Sequence, residues 1–220
     1  MAETVQNQII LMDVLLARLS LTKPFIGRDA PINPATGQPE GKYHADLILA
    51  PDHPQLPAFQ TLMREAVARK FKDDAAVVLE QIRANNKFPL HRGDVDRAGK
   101  PEYAGKLFIS ANNAEQPTIV VTENGVNIAN RGTPVVLTPA HPCYPYPGCR
   151  ANVQLAVFAY AHPSGGKGVG CQLMGVQFFR HGPRLSGASV SSASEFGLVA
   201  TAADAPLPAA AAATGGGGLI

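Results

Sequence analysis

Over residues 9–23 apolar and polar positions alternate in a way that predicts a strand. Val14, Leu16 and Arg18 fall on one side, and Leu15, Ala17 and Leu19 on the other. Ile9, Met12, Leu16 and Leu19 also fit the helical period, so a helix stays open from the pattern alone. Pro24 stops the run, and Pro31, Asn33, Pro34, Gly37, Pro39 and Gly41 make 29–41 a turn-rich connection. Residues 42–50 predict a second strand. Tyr43, Ala45, Leu47 and Leu49 share one face, and His44, Asp46 and Ile48 the other. After Pro51, Asp52 is positioned to cap a helix with Pro54 in its first turn. Leu56, Phe59, Met63, Val67 and Phe71 carry its apolar stripe. Asp73 and Asp74 are placed to cap a second helix over 75–84, with Val78, Leu79 and Ile82 on its apolar side.

The second half reads as strands. Residues 85–105 are polar and turn-rich, and Leu107–Ser110 predicts a short strand. Thr118–Thr122 is β-branched and leads into an Asn124-Gly125 hairpin signal. Val135–Thr138 is a further strand candidate, followed by a proline-punctuated loop over 139–148. Cys149–Tyr160 and Val169–Phe179 form a long hairpin around the loop Ser164-Gly165-Gly166-Lys167-Gly168. The elements show no βα alternation. They predict a mostly-β or α+β fold: an OB-fold-like, partly open five- to six-stranded barrel with an inserted helical segment. The ordered domain is expected over 1–186, with a flexible Ala/Gly/Ser/Pro-rich tail over 187–220.

Composition narrows the function. With 45% hydrophobic residues the 220-residue chain can bury a core, and with 16% charged residues and a net charge of +2 it is no highly charged disordered polymer. Gly (21) and Pro (19) argue against a helical bundle. Three cysteines, Cys143, Cys149 and Cys171, do not make a disulfide scaffold. The apolar run at 9–16 is interrupted by Asp13 and preceded by no Lys or Arg, unlike a signal peptide. No apolar stretch nears the ~20 residues that span a bilayer. A cytoplasmic protein with no membrane partner is expected. Residues 1–100 hold 13 Lys and Arg against 12 Asp and Glu, whereas 124–194 hold Arg131, Arg150, Lys167, Arg180 and Arg184 and no acidic residue. That segment is a candidate anion-binding face.

These residues admit several chemistries. Asp94, Asp96 and Glu102 could hold Mg²⁺ as in a nuclease, but the surrounding Gly93, Gly99 and Pro101 read equally as turns. His141, Cys143, Cys149, His162 and Cys171 include soft ligands, yet Cys143 and Cys149 lack the close spacing of structural zinc sites. No Gly-x-Ser-x-Gly occurs, and the glycine loop at 164–168 lacks the P-loop pattern. Neither a catalytic residue nor a metal or cofactor is expected. Aromatic and basic residues, by contrast, lie close together repeatedly, as a binder of single strands requires: rings stack on bases at ~1–3 kcal/mol each, and cations neutralise phosphates. The candidate contacts are Lys23, Lys42, Tyr43, Tyr103, Lys106, Tyr144, Tyr146, Arg150 and Lys167. Of Phe25, Phe108, Phe158 and Phe178, about half are expected in the core.

Four stretches carry a family resemblance. They are Arg18-Leu19-Ser20 with Lys23-Pro24-Phe25; Gly41-Lys42-Tyr43-His44-Ala45-Asp46 with Pro51-Asp52-His53; Phe88-Pro89-Leu90 with Arg92-Gly93-Asp94, Pro101-Glu102-Tyr103 and Gly105; and Tyr146–Ala151 with Lys167-Gly168-Val169 and Leu173-x-Gly175-Val176-Gln177. In this order the chain resembles, over about residues 14–186, the bacteriophage single-stranded DNA-binding proteins with a compact OB-fold. His91-Arg92 stands where that family has an acidic turn. The resemblance implies a non-enzymatic protein that coats single-stranded DNA without sequence preference in phage replication or recombination, in the host cytoplasm, with phage or host replication proteins as candidate partners. The last 34 residues contain only Glu195 and Asp204 as acids, so recruitment through an acidic tip is not expected. The alternatives are a metal-dependent phage nuclease and a structural phage protein.

Overall fold

The structure is a computed structural model that describes residues 7–28, 30–132, 136–162 and 166–185. The chain divides into units Met1–Gly187 and Ala188–Ile220. The second unit, and with it the expected tail, lies outside the described residues.

Five strands close a barrel: β1 (Gln8–Phe25), β2 (Lys42–Leu49), β4 (Leu107–Asn113), β7 (Arg150–Ala161) and β8 (Lys167–Arg180). Neighbours in this ring are antiparallel except where β4 meets β8, a parallel contact at Asn112 and Gln172 that shuts the barrel. The order β1-β2-β4-β8-β7 and back to β1 is that of an OB-fold. The barrel is thus closed with five strands, where the sequence pattern left five or six and a partly open form. Three short strands extend it. β3 (Leu90–Arg92) pairs with β4, and the hairpin β5 (Thr118–Glu123) and β6 (Val126–Ala129) turns at Asn124-Gly125 and pairs with β8. β3 and a helical turn α3 (Gly93–Asp96) fall in the segment whose polarity predicted only turns. Of the strand expected over 135–138, Val136 makes one bridge to Ala129 and residue 135 lies outside the described residues.

Inward-facing side chains of the five strands, among them Leu16, Leu47, Ile109, Leu155 and Leu173, share one core with Phe59, Met63 and Val67 of α1 (Leu56–Phe71) and Val78 and Ile82 of α2 (Ala75–Ala84). Each fully buried aliphatic or aromatic side chain contributes about 1.5–3 kcal/mol. The expected caps are not made: α1 starts at Leu56 with Gln55, not Asp52, at its cap position, Asp74 precedes α2, and neither the Gln55 nor the Asp74 side chain bonds its helix N-terminus. Gln55 instead reaches β1, accepting from Met12 N–H and donating to Ile10 C=O, both at 2.7 Å. This satisfies strand groups that face no partner strand and moors α1.

β1 departs from simple alternation at two bulges, where Asp13 (φ 50°) and Arg18 (φ 45°) adopt left-handed backbone. The second matters for function. Leu16 and Leu21 point inward, and the irregularity between Ala17 and Ser20 frees Arg18 from the inward register that strict alternation would give it.

Candidate nucleic-acid interface

The outer face of β1, β2 and β4 is built by the other half of each alternation. Register pairs His44 with Asn112 and with Ser20, Asp46 with Ser110 and with Ala17, and Phe25 with Lys42. The β1–β2 connection folds over one end of this face as a small hairpin, with an Ile32–Pro39 bridge and Asn33 N–H donating to Gln38 C=O at 2.9 Å. Between this arm and the sheet lies a recess of about 400 Å³ lined by Arg18, Phe25, Arg28, Lys42, His44, Asp46 and Asn112, among others. A second recess of about 370 Å³ is lined by Arg18, Arg97, Lys100, Glu102 and Tyr103, among others. Arg18 lines both.

Phe25 is 56% exposed and stands edge-on to His44, ring centroids 5.4 Å apart. Burial, followed by the nearby Arg18 charge, holds the His44 imidazole below its ordinary pKa. Asp46 is 1% exposed and lies in the floor. Its Oδ2 accepts from Tyr103 Oη (2.9 Å), Arg97 Nη2 (3.2 Å), Arg97 Nε (3.3 Å) and Arg18 Nη1 (3.5 Å), and its Oδ1 from Ser110 Oγ (3.2 Å). Arg97 also lies over the Phe108 ring, 4.9 Å from its centroid.

A second exposed aromatic pair lies on the β7–β8 hairpin. Phe158 (44% exposed) and Tyr160 (37%) stand two residues apart on β7. Across the ladder they face Gly170 and Gly168 of β8. A Cβ at either glycine would sit 2.6 Å from the Phe158 ring or 2.4 Å from the Tyr160 hydroxyl. In this pose the rings lie over bare backbone, and a Cβ at either glycine would make them swing aside. Lys87, Tyr160, His162 and Lys167 border an adjoining recess of about 600 Å³. Lys167 Nζ lies 5.5 Å from the centroid of Phe71.

The candidates read from the sequence are distributed over several places. Lys42 lines the first recess. Lys23 is exposed near the end of β1, and Tyr43 is half-buried on the inward series of β2. Lys106 is partly buried, its carbonyl accepting from Gly93 N–H. Tyr103 is no base platform: it is 1% exposed, packs edge-on against Phe108 and spends its hydroxyl on Asp46. Burial raises its hydroxyl pKa strongly. Arg150 is committed to Asp13, with Nε 2.6 Å from Oδ1, and Arg180 binds the same carboxylate at 2.9 Å. Tyr144 and Tyr146 come together with Arg184 at a separate recess of about 420 Å³. Burial raises the Tyr144 hydroxyl, and Tyr146 carries the Arg184 guanidinium 4.5 Å above its ring. Of the four phenylalanines, Phe108 is buried and Phe178 packs on the core, whereas Phe25 and Phe158 are exposed.

Arg18, Arg28, His44, Arg97, Phe158 and Tyr160 are not among the contacts expected from the sequence. Two signals point to some of them. A charge at the centre of an apolar strand marks the polar face that His44 and Asp46 share, and the alternating Gly168 and Gly170 mark a close approach within a strand. Arg97, 51 residues from Asp46, leaves no local signal.

Two of the three acidic residues considered for Mg²⁺ serve turns, Asp94 Oδ1 accepting from Gly105 N–H at 2.8 Å and Asp96 Oδ2 from Arg92 N–H at 3.2 Å, while Glu102 lines the recess with Arg97 and Lys100. Among the described residues no three His, Cys, Asp or Glu side chains are grouped to hold a metal ion. Cys149 and Cys171 are buried, and burial pushes the Cys149 thiol up to about 11.

A closed five-stranded OB barrel with a recess on its outer β2–β4 face, covered at one end by the β1–β2 connection, has the architecture on which oligonucleotide binders are built. The family described as Enterobacter phage Enc34, ssDNA-binding protein matches residues 29–206, and the chain belongs to it. Protein p50 of Acyrthosiphon pisum secondary endosymbiont phage 1 is 29% identical over 164 residues, 73% of this chain and 81% of that one. Among solved structures, the single-stranded DNA-binding protein of bacteriophage Enc34 in complex with ssDNA aligns with a TM-score of 0.57 at 19% identity, over 84% of this chain and 97% of the other. The C-terminally truncated form of that protein aligns with 0.53 at 20%, over 83% and 95%. At these identities the likeness concerns the fold.

Proposed function

We propose that this protein binds single-stranded DNA without sequence preference, as a non-enzymatic component of phage DNA replication or recombination. The observation that carries the reading is the groove on the outer face of β1, β2 and β4, where Phe25 and His44 stand among Arg18, Arg28, Lys42 and Arg97. Rings in a cationic groove stack on any base, and its cations neutralise any phosphate, so the arrangement favours single strands over duplex, whose bases are already stacked. Family membership and the relatives' description as ssDNA-binding proteins support it. Phe158 and Tyr160, with Lys87 and Lys167, would extend the path along the β7–β8 hairpin. Asp94 and Asp96, engaged in turns, give the nuclease alternative no support. The host cytoplasm is the compartment this function implies, and phage or host replication proteins its implied partners. No helix among the described residues is long and apolar enough to cross a membrane.

The test is fluorescence anisotropy of the full chain with labelled oligo-dT and with duplex DNA over a salt series, with and without Mg²⁺. Tighter binding to oligo-dT, weakening with salt at a log–log slope of about −0.7 per neutralised phosphate, is expected. Absence of oligo-dT binding at low salt overturns the reading, and Mg²⁺-dependent shortening of the oligonucleotide would replace it with the nuclease.

A further inference from the structure

Two guanidiniums share one carboxylate in the floor of the groove. Asp46 is withdrawn from solvent, and a buried carboxylate persists only when paired and hydrogen-bonded. Five hydrogen bonds meet that need, three of them from Arg18 and Arg97. The arginines are differently placed: their side chains are 51% and 27% exposed, and Arg18 lies where the two recesses of the groove adjoin. The two recesses together are lined by Arg18, Arg28, Lys42, Arg97 and Lys100 against Glu40, Asp46 and Glu102, which leaves the groove a positive surplus. Arg97 is held on its other side by the Phe108 ring and by Asp96 C=O, which accepts from Nη1 at 3.2 Å. Its plane is therefore set before any ligand arrives.

We infer that Arg18 and Arg97 form a phosphate clamp at the junction of the two recesses, and that Asp46 is the positioning residue that aims both guanidiniums. The inference rests on the single-stranded DNA reading and adds its anion subsite. An arginine fork presents paired N–H donors suited to a phosphate, and a fork whose orientation is fixed loses less freedom on binding. The backbone bulge at Arg18 fits this role, because strict alternation would turn that side chain toward the barrel interior.

The charge sign makes the test sharp. Asp46→Asn removes a negative charge from a DNA-binding groove, so Coulomb attraction alone predicts tighter binding. The clamp predicts the reverse. Wild type, Asp46→Asn and Arg97→Lys are titrated with labelled oligo-dT over a salt series, with circular dichroism and thermal unfolding to establish folding. Expected are wild-type binding, roughly tenfold weaker binding by folded Asp46→Asn, and a salt slope shallower by about 0.7 for each phosphate that is no longer neutralised. Arg97→Lys keeps the charge and loses the fork, and is expected to bind several-fold more weakly. It carries the test if Asp46→Asn does not fold. Wild-type binding with Asp46→Asn or Arg97→Lys at equal or higher affinity overturns the clamp and leaves the DNA reading intact. Failure of wild type itself to bind at low salt overturns both.

Discussion

The molecule contains two clusters of the same composition, one aspartate between two arginines, and each touches a bulge of β1. At the first bulge Asp13 binds Arg150 and Arg180 of β7 and β8. At the second, Arg18 with Arg97 meets Asp46 of β2. In the first the carboxylate is 37% exposed and its arginines come from the two strands of one hairpin, so the cluster ties β1 to that hairpin. In the second the carboxylate is buried and the arginines border open recesses. Identical residue types thus make a strut in one place and a presented cationic pair in the other. The arginines are exposed to similar degrees in both, 35% and 58% against 51% and 27%; what differs is that only Asp46 is buried and only its arginines border the recesses of the groove.

The contrast can be broken most directly by removing the arginines in pairs. Arg18→Ala with Arg97→Ala is expected to weaken oligo-dT binding by about two orders of magnitude or more, from ~1.5–3 kcal/mol for the charge-assisted hydrogen bond lost with each arginine. Arg150→Ala with Arg180→Ala is expected to leave affinity within about threefold, in keeping with exposed pairs that serve the fold. Anisotropy titrations at fixed salt measure both, and a comparable loss in the second pair would erase the distinction. A smaller effect is expected from Tyr103→Phe, which strips one donor from buried Asp46 and should cost about 1–3 kcal/mol in urea unfolding. No stability change would mean that the Asp46 cluster is as loosely held as the exposed one.

Asp13→Asn should cost less, under about 1 kcal/mol near neutrality, because its pairs are partly exposed. The loss should depend on pH. The hydrogen bond from Arg150 is the main cause that holds the Asp13 carboxyl below its ordinary value in the fold. The unfolded chain then binds the proton more readily, so the stabilisation is complete above the unfolded value near 3.8 and disappears as pH falls through the lower folded one. Chemical denaturation of wild type and variant from pH 7 down to 2 should show the two curves converging at the acid end. The smallest effect concerns His44 in the groove. Its pKa is depressed, chiefly by burial, so it is mainly neutral at pH 7. A phosphate nearby would favour its charged form, so affinity for oligo-dT should rise a few-fold as pH drops from 7.5 to about 5.5. In His44→Ala that rise should be absent. A wild-type profile that stays flat would place the phosphates away from His44.

Much of this molecule is legible as a sequence. The period-2 pattern of Tyr43 to Leu49, the helical stripe from Leu56 to Phe71 and the Asn124-Gly125 turn each encode a local structure, because burial on one face must match the period of the element. The family resemblance rests on the same local stretches. Local pattern also supplies the polar side of β2, on which His44 and Asp46 lie. It could not say that Tyr103 would be drawn beneath Asp46, that Arg150 would be consumed by Asp13, or that Arg97 would arrive 51 residues downstream of its partner. Those outcomes depend on closure of the barrel and on two bulges that rotate β1 against its neighbours. An arginine or tyrosine reads the same in sequence whether its charge or ring is spent internally or offered to a ligand. Only the tertiary structure, by deciding which group is buried and which remains open to solvent, separates the two.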